Sequence, residues 1–183
     1  MKGVVFNIVE EFVTEQWSAD DWDDLLDAAG LDGAYTALGT YTDAELAALV
    51  DAAAARFGLT TEQVLRAVGR HAFAGLDRRY PDFAKGHVGI DTFLPTVNDI
   101  IHPEVLKLLP GATLPTFRVD HLADGSMTMT YWSPRDLCVF AEGLVLGAGD
   151  HFGQDLTVHQ SSCRLRGDTE CVLVVSPPHP DGA

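Results

Sequence analysis

Tyr131-Trp132-Ser133-Pro134-Arg135 joins two stretches of different period. Before it, Ser126-Met127-Thr128-Met129-Thr130-Tyr131 alternates polar and apolar residues, the pattern of a half-buried strand. After it, Leu137, Phe140, Ala141, Leu144, Val145 and Ala148 recur at helical spacing. Ser133 is placed to cap that helix, Pro134 to take its first position, and Asp136 lies three residues past the cap. An extended chain points Tyr131 and Ser133 to one side. Arg135 then projects from the first turn, where free N–H groups and the helix dipole favour an anion. A phenol, a hydroxyl and a guanidinium fork converging there make a clamp for a carboxylate or phosphate. Taken alone, the segment reads better as a capped helix with an ordinary surface arginine, and the rest of the chain has to decide.

Working outward toward the N-terminus, the chain is helical. Val4, Val5, Ile8, Val9, Phe12 and Val13 form one apolar face over residues 1–16. Ser18 with Asp21 opens a second helix that stops near Gly30. Thr42 with Glu45, and Thr60 with Gln63, are capping boxes for a third and a fourth, the third ending at Gly58. A short helical piece is expected up to Gly86. Asp91 is the expected cap of the next helix, with Phe93, Leu94, Val97, Ile100 and Ile101 on its apolar side, and Pro103 should kink it. Toward the C-terminus the period changes. Thr116–Leu122 and Met127–Tyr131 form a hairpin about Asp124-Gly125. A helix follows over 134–152. Leu156–Arg164 and Glu170–Ser176 make a second hairpin, and fraying is expected from Pro177-Pro178 onward. Helices first, then strands with one inserted helix, is an α+β order. At 183 residues the chain reads as a single domain, a helical part over about 1–90 and a helix-and-sheet part over about 91–183.

A formal charge of −15, from 27 acidic and 12 basic residues, argues against nucleic acid or an anionic membrane surface as partner. No apolar run is long enough to span a bilayer, which points to a cytoplasmic protein. Three cysteines, an odd number, suit thiols or metal ligands better than a disulfide framework. The acidic run Asp20, Asp21, Asp23, Asp24 and Asp27 is a solvated helix face, since its spacing does not match a calcium loop. There is no HExxH, GxSxG or P-loop. Among seven histidines, His102 alone sits in a dense apolar context, Ile100-Ile101-His102-Pro103-Glu104-Val105-Leu106. Such a residue is either a core histidine or the axial ligand of a haem iron.

The start Met1-Lys2-Gly3-Val4-Val5-Phe6-Asn7, the helix with His102, Leu114-Pro115 and Tyr131-x-Ser133-x-Arg135 together resemble the haem nitric oxide/oxygen binding (H-NOX) family. The resemblance runs over essentially the whole chain. It implies a b-type haem lying between the helical half and the sheet, with His102 as its proximal ligand. It implies that Tyr131, Ser133 and Arg135 hold the haem propionates, and that Val5 and Pro115 press on the porphyrin. Members that bind oxygen stably carry a tyrosine five residues beyond the motif arginine. Here that residue is Phe140, with Val9 and Leu144 as apolar neighbours, unless Tyr35 or His71 donates from elsewhere. The expectation is therefore a nitric oxide sensor, not an enzyme. It would bind CO more weakly, would not bind oxygen stably, and would regulate a separate signalling protein such as a histidine kinase or a cyclic-di-nucleotide enzyme. Nitric oxide would weaken the iron–His102 bond, and Pro103 would lend compliance there. An apolar distal side lacks the acid/base pair of a peroxidase.

Cys163 and Cys171 lie symmetrically about Gly167, so the second hairpin brings them together. Some family members hold zinc here with three cysteines and a histidine placed three residues before the first hairpin cysteine. This chain has Gln160 at that place and His159 one residue earlier. In a regular strand His159 and Cys163 share a face. Cys138, Cys163, Cys171 and His159 are thus the expected zinc ligands, with free thiols as the alternative. A zinc- or thiol-based redox regulator is the second functional reading.

Overall fold

The computed structural model describes residues 1–177, so the expected fraying at 178–183 lies outside the described residues. Four helices come first: α1 Gly3–Gln16, α2 Ala19–Ala29, α3 Asp43–Phe57 and α4 Thr61–Arg79. Their ends follow the capping chemistry. Ser18 accepts from the Asp21 N–H, and Thr42–Glu45 and Thr60–Gln63 close complete capping boxes. Gly30 and Gly58 terminate α2 and α3 in the left-handed conformation that glycine adopts without steric cost. Residues 81–86 form successive turns rather than the expected helical piece.

The next helical stretch departs from its sequence reading. Gly89, not Asp91, is the cap of α5 (Ile90–Thr96), which keeps Pro95 inside it. A π-turn over Val97–Ile101 then leads directly into α6 (His102–Leu108). Pro103 has no N–H to offer the helical ladder, and the register widens immediately before it, where the His102 N–H bonds to the Val97 carbonyl. The extra residue rotates the helix face, so Ile101 is buried while Ile100 is exposed.

The second half is a four-stranded antiparallel sheet of β1 Thr116–His121, β2 Met127–Trp132, β3 Thr157–Ser162 and β4 Cys171–Ser176, in the order β1-β2-β4-β3. Helix α7 (Cys138–His151) is inserted between β2 and β3. It begins four residues later than expected. Ser133 accepts from the Arg135 N–H, closing a turn instead of a helix cap, and Asp136 has a positive φ of 51°, which no helix can include. The sheet and α7 share a core of Met127, Met129, Tyr131, Val139 and Leu173, and a second core fills the space between α1, α2, α3 and α4.

Helices α4 and α7 tie the halves together at close range. A Cβ on Gly69 would lie 2.3 Å from the Phe140 carbonyl oxygen, one on Gly143 2.3 Å from that of Arg66, and one on Gly147 2.3 Å from that of Arg70. Two ion pairs flank this seam, Arg66–Glu142 at 2.6 Å and Arg70–Asp150 at 2.5 Å. No described helix is long and apolar enough to cross a membrane.

Candidate haem pocket and thiol cluster

Between the helices and the sheet lies a cavity of about 350 Å³ whose walls are almost entirely apolar. Helix α7 supplies Phe140, Ala141, Leu144, Val145 and Ala148, and α1 supplies Val4 and Val5. His102 and Pro115 line it as well, with Tyr131, Ser133 and Arg135. Val9 does not. It is buried in the core of the four helices and borders a separate apolar void of about 40 Å³ beside Phe12, Leu49 and Val68. Tyr35 and His71 also lie away from the cavity lining: Tyr35 stacks on Phe6 at 4.2 Å, and His71 faces Glu15 at 3.9 Å. Phe73, Leu76, Tyr80 and Phe83 also line the cavity, and sequence reasoning missed them. Phe73 and Leu76 lie on the apolar face of α4, which looks the same whether it meets a core or a ligand, and Tyr80 and Phe83 lie just after it.

Removal from water lowers the His102 pKa and so favours the neutral imidazole, opposed by a hydrogen bond to the Pro115 carbonyl. Because a carbonyl only accepts, one ring N–H is committed to Pro115 and the other nitrogen keeps a free lone pair. That is the arrangement in which imidazole binds a metal, with the backbone oxygen fixing the tautomer. Phe117 stands 5.6 Å from the His102 ring and 5.6 Å from that of Tyr131.

The three motif side chains converge as their spacing implies. Tyr131 and Ser133 are buried while Trp132 between them is exposed. Burial raises the Tyr131 pKa, and the nearby Ser133 hydroxyl and Leu137 backbone oppose that rise. Arg135 is only 15% exposed and already holds a carboxylate. Its Nε donates to both oxygens of Asp43 at 2.8 Å, and Nη1 donates to the Thr113 carbonyl at 2.6 Å. Asp43 opens α3, so the guanidinium spans the two halves. Desolvation pushes the Asp43 carboxyl upward, but Arg135 and the Met1 amino group outweigh it and hold the pKa below its usual value. The cavity thus offers an apolar slot, a metal-ready imidazole and a cationic margin, which fits haem with its two propionates.

A second constellation lies behind α7. Cys138, Cys163 and Cys171 are buried with their sulfurs all within 4.8 Å of one another, and Cys138 and Cys163 are 3.6 Å apart. Burial, followed by the neighbouring sulfurs, raises the Cys138 thiol far above its usual range. The Arg164 N–H donates to the Cys171 sulfur at 3.4 Å. His159 is not part of the group. A bulge at Ser161 inserts one residue between Gln160 and Ser162, so His159 and Cys163 fall on opposite faces and His159 is exposed. Gln160 points inward instead. Its Nε2 donates to Glu142 at 3.1 Å, and its Oε1 is buried without a hydrogen-bond partner.

A helical layer over a four-stranded sheet, enclosing an apolar slot with one imidazole and one arginine margin, is the architecture of a haem-based gas-sensor domain. The chain belongs to the haem-NO-binding (H-NOX) family, whose sequence model matches residues 2–160. Domains of this family are sensors, not enzymes. An H-NOX protein from S. oneidensis in the Fe(II)NO state is similar at 32% identity, over 98% of this chain and 100% of that one, with a TM-score of 0.91. An H-NOX domain from Shewanella oneidensis in the Fe(II)CO state matches at 31% identity, over 98% of this chain and 99% of that one, with a TM-score of 0.88. An unliganded Fe(II) H-NOX protein from K. algicida matches at 26% over 100% of both chains, with a TM-score of 0.86. A comparison with curated proteins finds no match.

Proposed function

We propose that this chain is a nitric oxide sensor acting on a separate signalling protein in the cytoplasm, a histidine kinase or a cyclic-di-nucleotide enzyme. One observation carries the reading: a single apolar cavity sets the free nitrogen of His102, the Arg135 guanidinium and the donor-free walls Phe140 and Leu144 around one volume. A bound b-type haem supplies the ferrous iron that takes up the gas. The residues of the chain do the rest. His102 holds the iron, while Tyr131, Ser133 and Arg135 receive the propionates. Val5 and Pro115 bear on the ring from the cavity walls. Phe140 and Leu144 offer no hydrogen bond, so the polar oxygen complex is left unsupported, whereas nitric oxide and, more weakly, CO need none. Relatives from Shewanella have been solved with each of those two gases.

With haem bound, His102 would hold the iron and the bound gas would act on that contact, so the segment over 97–108, which carries a π-turn next to His102, would be free to shift when the contact loosens. Pro103 keeps that turn from reverting to a regular helix. The same segment exposes Ile100, Leu106 and Leu108, apolar surface suited to a protein partner. The test is the absorption spectrum of the purified ferrous protein with and without nitric oxide. A haem band that shifts with nitric oxide and is unchanged by air supports the reading. A colourless protein, or a stable oxygen complex, overturns it.

A second reading has its own observation in the three converging thiols, which suit a zinc- or thiol-based redox input. Arg164, next to Cys163, is within 3.3 Å of the Ser133 carbonyl, so that input would reach the propionate motif directly.

A further inference from the structure

We infer that Gln160 is the fourth ligand of a zinc ion held by Cys138, Cys163 and Cys171, taking the place expected of His159. Three buried sulfurs within 4.8 Å of one another already approach the spacing of roughly 3.8 Å that tetrahedral zinc–thiolate geometry imposes. A closed tetrahedral site lacks only one donor. The register supplies it. Gln160 pairs with Leu173 and shares that residue's inward face of the sheet with Cys171, two positions along β4. Glu142 lies one helical turn beyond Cys138 on α7 and accepts from Gln160 Nε2 at 3.1 Å. The amide is therefore suspended between the two elements that bear thiols.

Its orientation is fixed as well. Glu142 is paired with Arg66 and accepts from the amide Nε2, so the amide turns its NH2 toward Glu142 and its carbonyl oxygen away from it. That oxygen is buried with no hydrogen-bond partner, a cost a fold does not ordinarily carry unless something fills the gap. A cation does. Glu142 becomes the outer residue that aims the ligand, as carboxylates do behind metal-bound groups, and Arg66 extends the chain to α4. Binding releases the thiol protons and needs no oxidant. An amide oxygen is a weaker zinc donor than imidazole, so the site exchanges metal more readily than a four-ligand set with histidine.

The inference is independent of the haem reading, and the haem band of each sample reports that reading separately. The test uses the reduced full chain. Zinc affinity is measured by chelator competition, and the zinc coordination shell by X-ray absorption at the zinc edge, where haem iron does not interfere. Expected for the unmodified chain is one zinc with three sulfurs and one oxygen. Gln160→Ala should lose about tenfold or more in affinity, and Gln160→His should bind more tightly with a nitrogen in the shell. Failure of the unmodified chain to take up zinc, a four-sulfur shell, or equal affinity in Gln160→Ala would overturn it.

Discussion

A phenyl ring at position 140 adds volume to the cavity wall and no hydrogen-bond donor. Phe140→Tyr places a hydroxyl on the same helix with little change in size. If the donor reaches bound oxygen, about 1.4 kcal/mol of hydrogen bonding raises oxygen affinity roughly tenfold, measurable as a spectral change in air-equilibrated ferrous protein. His102 has an equally local consequence. Its pKa in the fold lies below its ordinary 6.5, so the unfolded chain takes up a proton at a pH where the folded one still resists. Stability is fully present above 6.5 and declines as pH falls through it toward the folded value. With His102 as the proposed iron ligand, haem loss should accelerate over the same range, because proton and iron would compete for one nitrogen. Haem transfer to an excess of a haem-scavenging globin, followed from pH 8 to pH 5, checks this. Arg135 differs from a free clamp in being pre-paired. Asp43→Asn removes its charge partner, and the expected result is a changed haem off-rate with an unchanged ferrous–NO spectrum.

At the scale of elements, the α4–α7 seam depends on what its glycines omit. Gly143→Ala drives a methyl group against backbone rather than a movable side chain, since the nearest atom is the Arg66 carbonyl oxygen at 2.3 Å. Overpacking of that kind costs roughly 1–3 kcal/mol, read as a lower midpoint in urea. Helices α2, α3 and α4 were legible because their ends carry their own chemistry: Ser18, Thr42 and Thr60 begin them, and Gly30 and Gly58 end the first two. The start of α7 was misplaced because Ser133 and Pro134 satisfy a cap and a turn equally well. The positive φ at Asp136 that decides between them is set by tertiary contacts, among them Arg164 at 3.3 Å. The π-turn before His102 was illegible for a similar reason: Pro103 announces a break, while its form depends on what the widened register buries. The inward turn of Gln160 followed from a bulge, and a bulge leaves no mark in an alternation of polar residues such as His159-Gln160-Ser161-Ser162.

For the whole molecule, the cavity separates two cores that otherwise meet mainly along the α4–α7 seam. A group that fills it and bonds to His102 and Arg135 binds the folded state alone. Mass action then stabilises the fold by about 4 kcal/mol when free ligand stands a thousandfold above its dissociation constant. The haem-loaded chain should melt several degrees above the haem-free one, and the difference should shrink in His102→Ala. His102, Tyr131, Ser133, Arg135, Pro115, Val5, Phe140 and Leu144, singled out from sequence through the family resemblance, all line the one cavity. Val9 does not, since a helical face two turns long turns from the cavity into the core within a few residues.

The bulge at Ser161 has one more effect. Strands β1 and β3 are the two borders of the sheet, and an unpaired border can recruit the border of another molecule. An extra residue in β3 breaks the flat row of donors and acceptors that such stacking requires, and Arg118 and Asp120 put charge on β1. Whatever it does for the thiol cluster, the irregularity also guards a sheet protein against its own copies, and with a net charge of −15 it favours a chain that stays dispersed when crowded.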